Sequence, residues 1–197
     1  MSLDNGFYDI PQGKIATIVT YLEMHEKPPL RPARPEPDWE VKAIPSPNIE
    51  WYRSLYRRVG EDWLWFSRLL LSDESLGSIL QDPNIAFYAF QAAGRDEGII
   101  ELDFRQGEEC ELAFFGIGPS LLGRGAGRWL MNQALELAWS RPIKRLWLHT
   151  CTLDHPQALG FYQRSGFRPY RREVEVADDP RLLGKAAMEA APHVPII

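Results

Sequence analysis

The sequence of 197 residues predicts an α+β fold with a mixed, mostly antiparallel central sheet that is flanked by helices. Three observations support this prediction. Strand-like segments within 84–117 follow one another with short turns between them, as in an antiparallel meander. After residue 117, strand and helix patterns alternate. A further strand pattern lies near the N-terminus, so we expect one extra N-terminal strand.

Composition limits the class of protein. The chain is 45% hydrophobic and 25% charged, which is ordinary for a soluble globular domain. Its net charge of −5 argues against a general nucleic-acid binder, although a local basic patch would be compatible with it. Cys110 and Cys151 provide no disulfide framework. The sequence has no transmembrane or export signal pattern, so we expect a cytoplasmic protein that does not bind membranes.

The first 38 residues are predicted to be an N-terminal extension. Residues 14–24 are rich in β-branched and aromatic side chains and predict a strand. The following segment, "KPPLRPARPEPD", is too rich in proline for regular structure, and its extended form could serve as a linker or as a ligand of a proline-binding domain. We favour the linker. The main domain is predicted over residues 39–177, beginning with a strand at 39–44.

Further elements follow in order along the main domain. Helical periodicity runs from Asn48 to about Gln81, with breaks near Gly60 and Ser72. Strands are predicted at 84–92, 98–106 and 109–117, the first two joined by the turn "AGRDEG". The segment 109–117 is largely apolar, so we expect it at the centre of the sheet.

Three alternate glycines in "LLGRGAGRWLM" precede an amphipathic helix. The free N–H groups at a helix N-terminus favour an anion such as a pyrophosphate, and Arg124 and Arg128 would add positive charge there. A tight turn is an equally good explanation of this segment alone. The helix is predicted to end before Pro142, with Leu130, Met131, Ala134, Leu135 and Ala138 on its apolar face and Arg128, Asn132, Gln133 and Glu136 on the other.

Two better-known phosphate motifs do not fit this turn. A P-loop requires Gly-Lys-Ser/Thr after four intervening residues, and that sequence is missing here. The dinucleotide fingerprint requires a third glycine at the position of Arg128. An NAD site is therefore not expected.

The C-terminal third is predicted to contain a strand at 145–151, a short helix and a returning strand at 171–176. Asp154 is expected to be the N-cap of that helix, with Gln157 completing a capping box. Gly166 is expected to be its left-handed C-cap, with Phe167 packing back onto the helix. The tail, residues 178–197, has no regular pattern.

Taken together, "ELAFFGIGPSLLGRGAGRWLMNQALELA" and "LWLHTCTLDHPQALGFYQRSGFRPYRR" resemble the GCN5-related N-acetyltransferase (GNAT) superfamily. The family pattern is a strand, Arg/Gln-x-x-Gly-x-Gly/Ala, a helix, a strand, and a helix that ends Ala-x-x-x-Tyr-x-x-x-Gly-Phe. Leu122-x-x-Gly125-x-Gly127 corresponds to the first motif, and Ala158, Tyr162, Gly166 and Phe167 correspond to the second with matching spacing. The resemblance covers residues 85–176. Leu122 departs from it, because the family usually has Arg or Gln there.

The resemblance implies a GNAT fold that binds acetyl-CoA as a cosubstrate, without a metal. Main-chain amides around Phe115, Gly116 and Ile117 would hold the pantetheine and polarise the thioester carbonyl. The glycine turn would bind the pyrophosphate through Leu122, Gly123, Arg124, Gly125, Ala126, Gly127 and Arg128. Asp154 stands where the family often has an asparagine near the cofactor, although a cap would also explain it.

Two side chains are implied as catalytic groups. Tyr162 corresponds to the family tyrosine beside the thioester sulfur and is the candidate general acid; a core aromatic is the alternative. Glu111 matches a glutamate that some members carry on this strand and is the candidate general base. It could instead be an ordinary strand carboxylate, with Glu101, Glu109 or a water chain as the base.

Other clusters have plainer explanations beside the functional ones. His149 and Cys151 share a strand face, but two ligands at this spacing do not make a zinc pair, so packing is favoured. Several aromatic residues lie where the family forms its acceptor site and could hold a cationic or apolar acceptor, although helical spacing favours core packing for most of them: Trp51, Tyr52, Tyr56, Trp63, Trp65 and Phe66.

We therefore predict an acetyl-CoA-dependent N-acetyltransferase that acts on a primary amine of a small molecule or a peptide. One alternative is an acyl-CoA-binding or regulatory module without transfer activity, for which Leu122 is the best argument. Another is an enzyme that uses a different acyl-CoA. A homodimer would be compatible with pairing of the N-terminal strand across subunits.

Overall fold

A seven-stranded sheet forms the centre of the computed structural model, which describes residues 4–197; the first three residues of the predicted N-terminal extension lie outside it. The strands are β1 (Lys14–Met24), β2 (Glu40–Ala43), β3 (Ile85–Ala92), β4 (Arg95–Asp103), β5 (Glu109–Ile117), β6 (Arg145–Cys151) and β7 (Arg168–Asp178). The α-helices are α1 (Ile49–Gly60), α2 (Ser67–Leu70), α3 (Asp73–Leu80), α4 (Ala126–Ala138) and α5 (Ala158–Arg164).

The order of the strands is β2-β3-β4-β5-β6-β1-β7. In the sheet of residues 4–197, only β5 and β6 pair in parallel. Their connection contains α4, as a parallel crossover requires. The predicted α+β class, the mostly antiparallel sheet and the central place of β5 are confirmed.

Two apolar layers cover the sheet. The first lies under α4 and contains Leu130, Leu135 and Leu146. The second lies under α1 and α3 and contains Tyr52, Tyr56 and Leu76. Since side chains alternate across a strand, β3, β4 and β5 contribute to both layers.

The predicted N-terminal strand has the bounds expected from the sequence, but its position in the sheet was not foreseen. β1 lies between β6 and β7 and pairs antiparallel with both. Leu22 and Met24 from this strand are buried in the layer under α4. Because both edges of β1 are paired within the chain, the pairing of this strand across subunits that the sequence suggested does not apply.

Two strand boundaries differ from the predictions. The turn between β3 and β4 contains only Ala93 and Gly94, with φ of 49° and 71°, so β4 begins at Arg95. Two-residue turns of this backbone match the twist of paired strands, which explains the shorter loop. β7 is longer than the predicted 171–176, because it pairs with β1 along its length.

Both predictions for the end of α5 are confirmed. Gly166 has a φ of 105°. The amide of Phe167 donates to the carbonyl of Tyr162 at 3.2 Å, and that of Gly166 donates to Gln163 at 3.1 Å, the pattern of a Schellman motif. Phe167 is buried and its ring contacts that of Tyr162.

The polar face predicted for α4 needs one correction. Asn132 is buried, because its Nδ2 donates to the carbonyl of Arg31 at 2.7 Å and the connector lies over it. The tail after β7 has no helix or strand within the described residues, as its sequence indicated. It is nevertheless internally connected, because the buried Arg181 pairs with Asp179 at 2.7 Å and donates to the carbonyl of Val194 at 2.9 Å.

Candidate active site

Strands β5 and β6 separate partway along their length. They pair at Glu109–Arg145, Cys110–Leu146 and Glu111–Trp147, and no further pairing follows between them in the described chain. Beyond Glu111 the two strands form a slot. A cavity of about 720 Å³ lies at this slot and reaches the N-terminus of α4 and the side of α5.

Main-chain amides of β5 face the slot. Gly118 donates to the carbonyl of Glu97 at 2.6 Å, and this fixes the alternation of the antiparallel ladder with β4. The amide of Gly116 therefore points to β4, whereas those of Phe115 and Ile117 point to the slot. A Cβ on Gly116 would lie 2.4 Å from Cγ1 of Val59, so close packing requires glycine there.

The glycine turn leads directly into α4. Gly123 and Gly125 have φ of 75° and 83°, a region that glycine adopts without strain. Neither amide donates to another group of residues 4–197. The first N–H groups of a helix also lack intrahelical partners, and here they begin at Ala126. Leu122 is 49% exposed and lines the same cavity.

The two arginines of the turn differ in their surroundings. Arg124 pairs with Glu36, its Nε lying 3.0 Å from Oε1, and its side chain is not among those that line the cavity. Arg128 lines the cavity and donates to the carbonyl of Pro32 at 3.4 Å. The amide of Arg124 donates to the carbonyl of Leu121 at 3.4 Å, so neither the side chain nor the main-chain N–H of this residue is free to bind an anion.

Tyr162 lines the cavity from α5. Its ring packs among Phe115, Phe161 and Phe167. The hydroxyl has no hydrogen-bond partner in the described part of the chain. Burial, followed by the negative charge of Asp154, raises the pKa of the phenol well above its usual value. The group therefore stays protonated and available as a donor.

Glu111 also lines the cavity, from the opposite face of the sheet to Leu112 and Leu146. Its Oε1 lies 3.4 Å from Nδ1 of His149. The hydrogen bond to Glu111 raises the pKa of His149 above 6.5. A packing role was favoured for His149 from the sequence, but the residue lines the cavity beside the candidate base.

The competing carboxylates on neighbouring positions are occupied elsewhere. Glu109 accepts from Arg145 at 2.8 Å. Glu101 is fully buried and accepts from Tyr52 and from Arg68, each at 2.5 Å. Of the three glutamates considered, Glu111 is the one that lines the cavity.

Asp154 is not the N-cap of α5, and this prediction is wrong. The helix begins only at Ala158, with Gln157 at the capping position. Asp154 instead holds the end of β6, because its Oδ2 accepts from Thr150 Oγ1 at 2.6 Å and from the amide of Cys151 at 2.9 Å. Its Oδ1 faces Trp65 Nε1 at 3.3 Å at the edge of the cavity.

The aromatic cluster divides between core and cavity. Tyr52 and Tyr56 are fully buried, and Trp51 donates to Asp96 at 2.7 Å. Tyr56 nevertheless forms part of the cavity wall, together with the remaining three members: Trp63, Trp65 and Phe66. In residues 4–197 there is no group of three or more His, Cys, Asp or Glu side chains that could hold a metal ion.

The sequence model of the acetyltransferase (GNAT) family matches residues 44–167. This chain belongs to that family. The match includes β5, the glycine turn, α4, β6 and α5, which surround the cavity, whereas β1 and β7 lie outside it. No curated protein sequence matches the chain significantly.

Solved structures support the GNAT fold at low sequence identity. A GCN5-related N-acetyltransferase from Sphaerobacter thermophilus has a TM-score of 0.61 and 13% identity, over 83% of this chain and 52% of that one. An IAA acetyltransferase from Bacillus cereus has a TM-score of 0.53 and 21% identity, over 68% and 79% of the two chains. A functionally unknown protein from Staphylococcus epidermidis has a TM-score of 0.57 and 14% identity, over 85% and 63%.

These likenesses concern the fold alone. The chain spans less than two thirds of the length of the Sphaerobacter and Staphylococcus proteins.

Within residues 4–197 there is no helix that is long and apolar enough to cross a bilayer.

Two residues of the site were missed from the sequence. His149 is separated from Glu111 by the whole of α4, and only the short parallel pairing of β5 with β6 brings them together. Arg31 lies in the predicted linker but lines the cavity beside the glycine turn. A sequence signal exists only for the first, since the alternation of Leu146 and Leu148 in β6 places His149 on the opposite face of the strand. For Arg31 there is none.

Proposed function

We propose that this GNAT protein is an acetyl-CoA-dependent N-acetyltransferase that acts on a primary amine of a small molecule or a peptide. One observation carries the proposal: unpartnered amides of the glycine turn, the slot between β5 and β6, and the hydroxyl of Tyr162 border a single cavity. The amides suit a pyrophosphate, and the slot suits an extended pantetheine chain.

The reaction would be a direct transfer. Glu111, beside His149, accepts the proton of the ammonium within the cavity. The amine nitrogen then bonds to the thioester carbonyl carbon, whose oxygen is stabilised by the amides of Phe115 or Ile117. The carbon–sulfur bond breaks as the tetrahedral intermediate collapses, and Tyr162 gives its proton to the departing thiolate. The nitrogen loses its second proton as the amide forms, and this proton restores the hydroxyl of Tyr162.

The acceptor would enter from the side of Trp63, Trp65 and Phe66. Aromatic faces attract a cationic or apolar group, which agrees with an amine that arrives protonated. Asp154 keeps Trp65 in place through the contact at 3.3 Å. Water would be displaced from these faces when the acceptor binds.

The test is a panel of amines with acetyl-CoA, in which release of the CoA thiol is followed and the product is identified by mass spectrometry. In parallel, acetyl-CoA at 100 times its Kd should stabilise the fold by about 2.7 kcal/mol, while NAD should not. Absence of any thermal shift with acetyl-CoA, succinyl-CoA and CoA would contradict the proposal.

A second candidate is a GNAT module that binds acyl-CoA without transferring the acyl group. Leu122 favours it, because a half-exposed leucine occupies the place of a basic or amide side chain. A thermal shift with acetyl-CoA, together with no thiol release across the amine panel, would favour this candidate. Release only with a longer acyl-CoA would identify a different donor.

A further inference from the structure

We propose that Arg31, carried by the proline-rich connector between β1 and β2, binds a phosphate group of CoA. This inference rests on the proposed function, since it concerns the same cavity. It assigns a binding residue to a segment that lies outside the match to the GNAT family, residues 44–167.

The connector is fixed onto α4. Asn132 Nδ2 donates to the carbonyl of Arg31 at 2.7 Å, and this amide is itself buried. Further along, Glu36 forms an ion pair with Arg124. Trp39 then packs against Phe90 and Trp129, with ring centroids 5.5 and 5.8 Å apart. The backbone of the segment is therefore held at Arg31 and on its C-terminal side.

The prolines of the connector restrict its backbone conformation. Residues 28, 29, 32, 35 and 37 are all proline, which fixes φ at each of them and leaves few alternative conformations. Pro28 also lies against Gly166, where an added Cβ would be only 3.1 Å away. A side chain carried by such a segment loses little backbone entropy when it binds a ligand.

Arg31 has the surroundings of a ligand-binding arginine. Its side chain is half-buried and lines the cavity. In the described part of the chain it forms no ion pair, whereas Arg124 nearby is neutralised by Glu36. Arg128 and Arg164 line the same cavity and are also without a carboxylate partner among residues 4–197.

Phosphate is the ligand that this arrangement fits. Arg31 and Arg128 lie close together beside the glycine turn, because Arg128 donates to the carbonyl of Pro32, the residue after Arg31, and Arg164 lines the same cavity from α5. A guanidinium binds phosphate oxygens in a bidentate manner. Arg31 thus supplies, from another segment, the positive side chain that Leu122 does not. The phosphate is either the pyrophosphate or the 3′-phosphate of CoA.

The experiment compares the affinities of wild type, Arg31→Ala and Arg34→Ala for three ligands by calorimetry: CoA, 3′-dephospho-CoA and pantetheine. Arg34 is the matched control, because it lies on the same connector but is exposed and does not line the cavity. Loss of a charge-assisted contact should raise the Kd of Arg31→Ala for CoA roughly tenfold or more. The Kd of Arg34→Ala should stay close to that of wild type.

Comparison of the three ligands shows which phosphate group Arg31 binds. If the loss persists with 3′-dephospho-CoA, Arg31 binds the pyrophosphate; if it disappears, Arg31 binds the 3′-phosphate. Affinity for pantetheine should be unchanged in both variants. Equal losses for all three ligands, or none for CoA, would overturn the inference.

A second variant controls for loss of folding. Arg31→Gln keeps the carbonyl that Asn132 binds and most of the aliphatic chain, but removes the charge. It should reproduce the weaker binding of CoA with an unchanged melting temperature without ligand. Failure of wild type itself to bind CoA would instead refute the proposed function.

Discussion

At the scale of single residues, Tyr162 combines an apolar environment with a hydroxyl that has no partner among residues 4–197. Replacing it with Phe removes the proton donor and keeps the packing against Phe161 and Phe167. We expect the rate of acetyl transfer to fall on the order of 10²-fold, the usual contribution of a general acid. Stopped-flow measurement of thiol release would give this rate.

The Kd for acetyl-CoA is the control for Tyr162→Phe and should change little. An unchanged single-turnover rate, which excludes product release as the slow step, would remove Tyr162 from the mechanism.

Glu111 and His149 make a second prediction at this scale. Because the hydrogen bond to Glu111 raises the pKa of His149 above 6.5, Glu111→Gln should lower that pKa. NMR titration of the His149 ring proton would measure it. A group whose pKa is raised on folding stabilises the protein fully below the unfolded value, and this stabilisation is lost as pH rises through the folded value.

The free energy of unfolding should therefore differ more between wild type and Glu111→Gln at pH 6 than at pH 9. His155, whose Nδ1 accepts from the amide of Gln157 at 3.1 Å, serves as an internal reference in the same spectra. An unaltered titration of His149 in the variant would show that the contact at 3.4 Å has no electrostatic effect.

Local rules explain which residues the sequence could place. Gly166 and Phe167 form the predicted C-cap because all its contacts lie within six residues of the chain. Asp154 satisfied the local pattern of an N-cap but is held by Thr150, Cys151 and Trp65 instead. The contact with Trp65 crosses from another element, so no local pattern could reveal it.

At the scale of elements, substitutions in the glycine turn should affect the stability of the protein and its affinity for CoA in different ways. An added Cβ on Gly127 would meet only ordinary contacts, the nearest 3.8 Å away, and the residue is helical. Gly127→Ala should therefore stabilise the protein without ligand by roughly 0.5–1 kcal/mol. The same Cβ lies toward the cavity, so affinity for CoA should fall.

The comparison for Gly127→Ala is Gly125→Ala. Gly125 also has open space around it but a φ of 83°, so alanine there should destabilise the protein by about 1–2 kcal/mol. Chemical denaturation and calorimetry would give both quantities. If Gly127→Ala bound CoA as well as wild type, the ligand would not approach this backbone.

At the scale of the whole molecule, β1 is an internal strand of the sheet. A truncation that begins at Glu26 removes it, leaves β6 and β7 without their shared neighbour, and takes Leu22 and Met24 from the core. We expect this protein not to fold cooperatively. Circular dichroism and thermal denaturation would test the expectation.

A truncation that begins at Ile10 is the matched control. It removes exposed residues such as Phe7 and Tyr8 and keeps all of β1. Its melting temperature should equal that of the full chain. Cooperative unfolding of the protein that begins at Glu26 would mean that the sheet is stable without β1.

The architecture was only partly predictable at this scale. The alternation of apolar residues predicted the strands, and the run of apolar residues in β5 predicted its central position in the sheet. The place of β1 was not accessible, because pairing partners far apart in sequence leave no pattern in the strand itself. The same holds for Arg31, whose position depends on the path of the connector over α4.

The position of β1 has a consequence during synthesis of the chain. The hydrogen bond between Thr17 and Thr152 cannot form until 135 further residues have been synthesised. For Lys14 and Asp178 the separation is 164 residues. At typical rates of translation this delay lasts on the order of ten seconds. Throughout that time an alternating apolar strand, already outside the ribosome, has neither of its neighbours. We therefore expect chaperones to bind β1 in nascent chains of this protein until β7 has been synthesised.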